Sequence, residues 1–369
     1  MPPTKLKLYT DLSLLKSEQP TVDLLVPFCG QSTKEKNPER NLTVGRFDTY
    51  EAEGKDFFEL TTLEDCDACL LPIRYSQKEN DLEFEKEIQA FADLVGASGK
   101  KTFVFLGSDI DQFNVKIKNP IIFCNTLYQS KIKSNEFAFT FFFEDFIARY
   151  YHDVLPLRNK TDIPTIGFCG FAPPLKQKFG LLKLKELLRL GLNYLGLMKI
   201  FPSFSAHSYR VRALLALRKS NKIKKNFIIR PNFGFGGPEG ALFPGGVKEL
   251  NATFRKQYVE NIVNTDYTLC VRGYGNNSMR FFEALCCGRI PVFLNTDCVL
   301  PFDFLIDWKK YCVWVEEKDI NRIPEKVLEF HNKLTNEEFK ALQTALRNIW
   351  KTYFTPQGFY KHLHLFLNR

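Results

Sequence analysis

A chain of 369 residues is longer than one hydrophobic core usually organises, so two domains are the default expectation. Its 44% hydrophobic and 25% charged residues are globular values that exclude a disordered chain, and 36 Phe side chains supply much of the core. The net charge of +9 admits an anionic partner (nucleotide-sugar, acidic glycan, anionic lipid or nucleic acid) or a plain solvated basic surface.

The N-terminal stretch MPPTKLKLYTDLSLLKSEQP carries charges and prolines but no apolar signal-type run, and no segment reaches the roughly 20 apolar residues of a membrane span. These features, with ten Cys that sit largely in apolar runs, lead to the expectation of a soluble, cytoplasmic protein with unpaired thiols. Cys66-Asp67-Ala68-Cys69 is a lone CxxC; without a second pair at zinc-site spacing it reads as chance.

Buried strands are expected at Val22–Phe28, Ala68–Ile73, Thr102–Leu106, Ile121–Phe123 and Phe137–Phe143. A helical period over Asp81–Val95 is followed by Gly96 and Gly99 as a stop. The polar run ending at Pro164 marks a break. Beyond it come a strand at Thr165–Phe168, helices at Leu175–Leu190 and Ala206–Lys219, a strand at Phe227–Arg230, a Gly-rich loop and a helix at Asn251–Asn264. Strand Tyr267–Val271, helix Ser278–Cys287 and strand Ile290–Leu294 form a βαβ unit, Tyr311–Val315 is a further strand, and the tail from Asp319 is helical. The expected fold class is therefore α/β with two Rossmann-like domains. They span residues 1–162 and 163–350, and a C-terminal helix over 351–369 is set to pack back on the first.

The chemistry concentrates in Thr265–Trp308. After the strand, Arg272-Gly273-Tyr274-Gly275-Asn276-Asn277 contains two glycines that let the backbone turn and approach a ligand, and Asn277 or Ser278 can cap the next helix. A helix N-terminus offers free N–H groups and about half a positive charge, and Arg272 and Arg280 add to it, which makes a phosphate site. Glu283 shares a helical face with Arg280, placed to accept hydrogen bonds from ribose hydroxyls. An ordinary surface ion pair between Arg280 and Glu283 is the plainer alternative.

This block resembles the C-terminal signature of the exostosin glycosyltransferases: Cys270-Val271-Arg272-Gly273, then Ser278-Met279-Arg280-Phe281-Phe282-Glu283-Ala284, Gly288-Arg289-Ile290-Pro291-Val292 and Leu300-Pro301-Phe302. The close match spans about a tenth of the chain, with Val271 where many members have Pro. The resemblance implies a GT-B architecture, two Rossmann-like domains facing a cleft. It also implies inverting transfer from a nucleotide-sugar, usually a UDP-sugar, with no essential metal. Arg280 would hold the diphosphate, Glu283 the ribose, and Ser278 with the helix N–H groups the distal phosphate. Arg272 is a second candidate for neutralising the leaving diphosphate, with Gly273, Tyr274 and Asn276 in the same loop.

Inverting transfer needs a general base within reach of the acceptor hydroxyl. Asp109 is the chosen candidate, with Asp111, Asp145 and His152 behind it, each equally readable as a loop or cap residue. Asp109-Ile110-Asp111 also spells a metal-diphosphate DxD, a pattern common by chance, and no metal is expected. Arg230, before a Gly-rich loop, is a further donor-side candidate, while His207 and Tyr209 read as structural. The basic stretch 175–225 suits either an anionic membrane carrying a lipid-linked acceptor or the outer face of packed helices. The functional expectation is a sugar transferase acting on a glycan or lipid-linked acceptor in surface polysaccharide, lipopolysaccharide or glycoprotein glycan synthesis. The alternative is a non-catalytic nucleotide- or glycan-binding partner subunit. Nucleic acid is not an expected partner, since no recognised module accompanies the charge.

Overall fold

A computed structural model describes residues 5–16, 20–32, 44–75, 82–107, 113–172, 188, 203–230, 246–273 and 275–369. The chain forms two compact units, one of Met1–Asp145, Asp297–Ile306 and Asn348–Arg369, the other of Phe146–Thr296 and Asp307–Arg347.

The first unit is built on a parallel sheet of strands β1 (Leu6–Tyr9), β2 (Phe58–Leu60), β3 (Ala68–Leu70), β4 (Thr102–Phe105), β5 (Pro120–Cys124) and β6 (Glu136–Ala138) in the order β2-β1-β3-β4-β5-β6. All its pairings are parallel, and the central strands β3 and β4 are buried throughout, which is why they read as unbroken apolar runs. Helices α1 (Val26–Cys29), α2 (Asp48–Glu53) and α3 (Leu82–Ser98) belong to this unit. Three sequence expectations need correction. Val22–Phe28 is a 3-10 turn running into α1 rather than a strand, because Pro27 falls in the first helical turn and Gly30, at φ 76, ends it. α3 runs through Gly96 and stops only at Gly99, which takes φ 70 as a left-handed cap. The expected strand Phe137–Phe143 ends at Ala138; Phe139 and Phe142 leave the sheet and stack edge-on with Phe359 and with each other.

The second unit opens with α4 (Phe146–Tyr151), so the change of unit falls at Asp145/Phe146 rather than at 162. Its sheet has the order β11-β10-β9-β7-β8, from β7 (Thr165–Phe171), β8 (Lys224–Arg230), β9 (Tyr267–Cys270), β10 (Ile290–Asn295) and β11 (Val313–Glu316), again all parallel. Around it lie α5 (Ser203–Lys219), α6 (Gly246–Val263), α7 (Met279–Cys286), α8 (Ile323–Asn332) and α9 (Asn336–Tyr353), whose last turns count with the first unit. The expected helix Leu175–Leu190 and loop Asn232–Gly246 lie, but for Leu188 and Gly246, outside the described residues. α10 (Pro356–Lys361) closes the chain in the first unit, with Phe359 and Tyr360 fully buried. Two parallel sheets with flanking helices give the expected α/β class. In each sheet the chain starts on an inner strand, adds the next strand on one side and the following one on the other. That reversal leaves a crevice at the carboxyl ends of β7 and β9, where open parallel sheets bind ligands.

The segment between α4 and β7 is fastened to the second unit. Arg158 Nε pairs with the fully buried Asp266 at 2.7 Å, Gln343 Nε2 donates to the Arg158 carbonyl at 2.9 Å, and His331 bridges the Tyr267 hydroxyl (2.9 Å) and the Thr161 carbonyl (2.6 Å). Burial lowers the His331 pKa below its usual value, outweighing the Thr161 hydrogen bond; His362 is lowered likewise. The unfolded chain therefore takes up these protons first as pH falls. Stability is expected to hold above about pH 6.5 and to decline as pH drops from there through the folded-state values. Urea titrations from pH 7.5 to 5 check this: replacing His331 by Gln flattens the slope, and an unchanged slope would refute the assignment.

All ten cysteines are free thiols, and nine are buried. Cys66 and Cys69 sit in the core of the first unit, where burial and then Cys66 push the Cys69 thiol up to about 12.

Candidate nucleotide-diphosphate site

The crevice of the second unit is lined from five elements, with Arg280 and Glu283 supplied by α7. β7 supplies the carbonyls of Cys169 and Phe171. β9 supplies the loop that leads into α7. α5 and α6 supply side chains that cross to meet them.

Arg280, in the first turn of α7, donates from Nη2 to the Cys169 carbonyl at 2.8 Å, with its guanidinium 4.6 Å from the Phe168 ring and 5.7 Å from the Tyr258 ring. Burial works against its charge, but Tyr258 and Glu283 outweigh that and hold its pKa above the usual value. Its Nε has no hydrogen-bond partner among the described residues. Gly170 makes this approach possible: it sits at φ 150, and a Cβ there would lie 2.8 Å from Arg280 Nη2.

Glu283 is 4% exposed, so it is not a surface residue. Tyr258 donates its hydroxyl to Oε2, and Arg255 faces Oε1 at 3.6 Å. Arg255 and Tyr258 are three residues apart on α6, which aims both at one carboxylate. Burial, then Glu283, drives the Tyr258 pKa well above its usual value, so the phenol stays a donor. The surface ion-pair alternative is therefore corrected: Glu283 is buried, its carboxylate is engaged by Tyr258 and Arg255, and Arg280 is instead hydrogen-bonded to the Cys169 carbonyl.

The loop behaves differently from its expected parts. Gly273 N donates to the Asn277 carbonyl at 3.0 Å, and a Cβ at Gly273 would meet nothing within 4 Å. Asn276 is fully buried, and its Oδ1 accepts from Thr296 Oγ1 at 2.7 Å, tying the loop to the end of β10. Ser278 occupies the N-cap in extended geometry (φ −140, ψ 108), but its hydroxyl makes no capping hydrogen bond. Arg272 is 5% exposed, and its carbonyl accepts from Arg210. Arg230 ends β8 opposite Phe171, and its guanidinium is held on α6 by the Phe254 carbonyl and Gln257 Oε1, both at 3.1 Å. Tyr274, Asp109 and Asp111 lie outside the described residues. His152 belongs to the second unit, in a turn at φ 53, not to the first where a base was sought.

Sequence reading missed Arg210, Arg255 and Tyr258 as members of this site. Arg210 appeared only within a basic, membrane-suited stretch, but it is 7% exposed and turned inward. Its Nη1 donates to the Phe171 carbonyl at 2.8 Å and its Nη2 to the Arg272 carbonyl at 3.2 Å. A signal was present: Arg210 falls in line with the buried Ala213, Leu214 and Leu217, on the apolar stripe of α5. Of the basic stretch, residues 175–187 and Arg189 are not described. Elsewhere, a cavity of about 530 Å³ in the first unit is lined along β6 and by Phe302, Phe304 and Phe366.

A parallel α/β unit with guanidinium groups and a helix N-terminus at its switch-point crevice has the chemistry to receive an anionic ligand there. Comparison with known proteins adds to this. Residues 244–330 match the Exostosin GT47 domain. The chain is 35% identical over 100 residues to Exostosin-1 of Drosophila melanogaster, a stretch covering 27% of this chain and 13% of that protein. It is 32% identical over 99 residues to the Exostosin-1 homolog of Caenorhabditis elegans (27% and 25%) and 33% over 106 to Exostosin-1b of Danio rerio (28% and 14%). The match thus spans a quarter or less of the length of these relatives.

Proposed function

We propose that the protein is an inverting glycosyltransferase that moves a sugar from a nucleoside-diphosphate donor, a UDP-sugar in the first instance, to a glycan or lipid-linked glycan acceptor. The carrying observation is the half-buried Arg280 guanidinium, whose Nε has no hydrogen-bond partner among the described residues, beside the N-terminus of α7 in the switch-point crevice. In the transfer an acceptor hydroxyl attacks the anomeric carbon, the bond to the diphosphate oxygen breaks, and negative charge grows on the leaving diphosphate. Preorganised N–H donors and guanidiniums stabilise that charge most where water is excluded. Arg280, the N–H groups of α7 and Arg272 are the groups proposed for this, with Glu283 for the ribose. Glu283 keeps acceptor capacity beyond Tyr258, since an ionised carboxylate offers about four lone-pair sites. The acceptor proton goes to a base, for which Asp109 is the proposed residue.

Because these groups would neutralise the leaving group, no metal is assigned a role. The test is release of nucleoside diphosphate from a panel of nucleotide-sugars with a glycan acceptor mixture, with and without a chelator. Donor-dependent release that survives chelation is expected. Nucleotide binding without release from any donor would replace this reading with that of a non-catalytic partner subunit.

A further inference from the structure

The two guanidiniums in the crevice form an unusual pair. Arg210 comes from α5 and Arg280 from α7, and between them they reach carbonyls at the ends of β7 and β9. Arg210 is tethered to the carbonyls at the ends of both strands, Phe171, the last residue of β7, and Arg272, two residues beyond β9. Arg280 is tethered to Cys169, two residues before Phe171. Among the described residues no carboxylate pairs with Arg210, and its Nε, like that of Arg280, has no hydrogen-bond partner. Burial and then the neighbouring Arg280 lower the Arg210 pKa to about 10, so Arg280 adds to the cost of charging Arg210. An arginine offers five N–H donors, and two of Arg210's are spent on carbonyls. Arg210, buried beside Arg280 and with no carboxylate partner among the described residues, holds a charge that is costly to fold around. The cost is offset when an anion with two charged centres lies between them.

We infer that Arg210 is a specificity-determining residue that, with Arg280, makes the crevice select a diphosphate over a monophosphate. The inference rests on the donor reading above, but it names a residue outside the matched domain, 244–330. Arg280 and the α7 N-terminus meet one phosphate, and Arg210 meets the second. A monophosphate leaves one guanidinium uncompensated, whereas a diphosphate compensates both. A charge-assisted hydrogen bond of this kind corresponds to about 10- to 100-fold in affinity.

The experiment measures binding of uridine diphosphate and uridine monophosphate to the full chain by calorimetry, in the wild type and in Arg210→Gln and Arg210→Lys. The wild type is expected to prefer the diphosphate. Arg210→Gln should lose about 10- to 100-fold for the diphosphate and less than threefold for the monophosphate, with a ligand-free melting temperature no lower than wild type. Arg210→Lys, which keeps the charge, should recover much of the preference. An equal loss for both nucleotides, or an unchanged preference in both variants, would show that Arg210 only ties strand ends and would overturn the inference. If the wild type binds neither nucleotide, the donor reading itself fails. If it binds both without preference, only the inference fails.

Discussion

Replacing Arg280 by Ala is expected to lower kcat/KM for the nucleotide-sugar by about 10²- to 10³-fold, the effect of deleting one preorganised donor to a developing negative charge. The loss should fall on kcat as well as KM, because the guanidinium meets more charge in the transition state than in the bound donor. Folding should survive. Among the described residues the hydrogen bond lost is to the Cys169 carbonyl, and a charge beside Arg210 is removed with it. Steady-state kinetics on a folded variant decide the matter: turnover within threefold of wild type would remove Arg280 from the site.

Arg289 makes the opposite case. It is fully buried and every arm is engaged: Nε on the Val263 carbonyl at 2.9 Å, Nη1 on Gly288 at 3.2 Å and Gln343 Oε1 at 3.0 Å, Nη2 on the Pro156 carbonyl. It joins the end of α6, the turn after α7, α9 and the segment before β7. Burial lowers its pKa to about 10, which still leaves it charged at neutral pH. Arg289→Ala strands several buried acceptors and opens a cavity, so a loss of about 3–5 kcal/mol in unfolding free energy is expected. Urea denaturation reads it directly. A shift below about 0.5 kcal/mol, the range of ordinary surface changes, would contradict the role. Two arginines from one sequence block thus separate by their hydrogen bonds: Arg289 is saturated and holds the fold, while Arg280 Nε has no partner among the described residues.

The βαβ unit from β9 to β10 was legible because its signals are local. A buried strand, a glycine loop, a helix start and a Gly-Arg-Ile-Pro stop follow one another within about thirty residues. β1 was missed because Leu6–Tyr9 is short and interrupted by Lys7. Phe137–Phe143 was over-read because hydrophobicity alone does not separate a strand from a loop that buries rings against α10. Glu283's partners were illegible for another reason: Arg255 and Tyr258 arrive from a helix some thirty residues upstream, and only the tertiary fold brings them to α7. Arg210 was hidden by the basic residues around it, since net charge does not distinguish a solvated arginine from a buried one.

The segment before β7 bears on how the molecule can be taken apart. Read from the sequence, residues 157–164 look like a disposable tether, and Ile163 would be the natural place to cut. In the fold they are part of the second unit's foundation. A fragment beginning at 163 would lose Arg158 and Thr161, leaving Asp266 with its charge buried and His331 short of one partner. It would also lose Pro156, an anchor of Arg289. A cleavage point ahead of Phe146 spares all three. Any protease nick tolerated by the native protein is accordingly to be sought outside this strap.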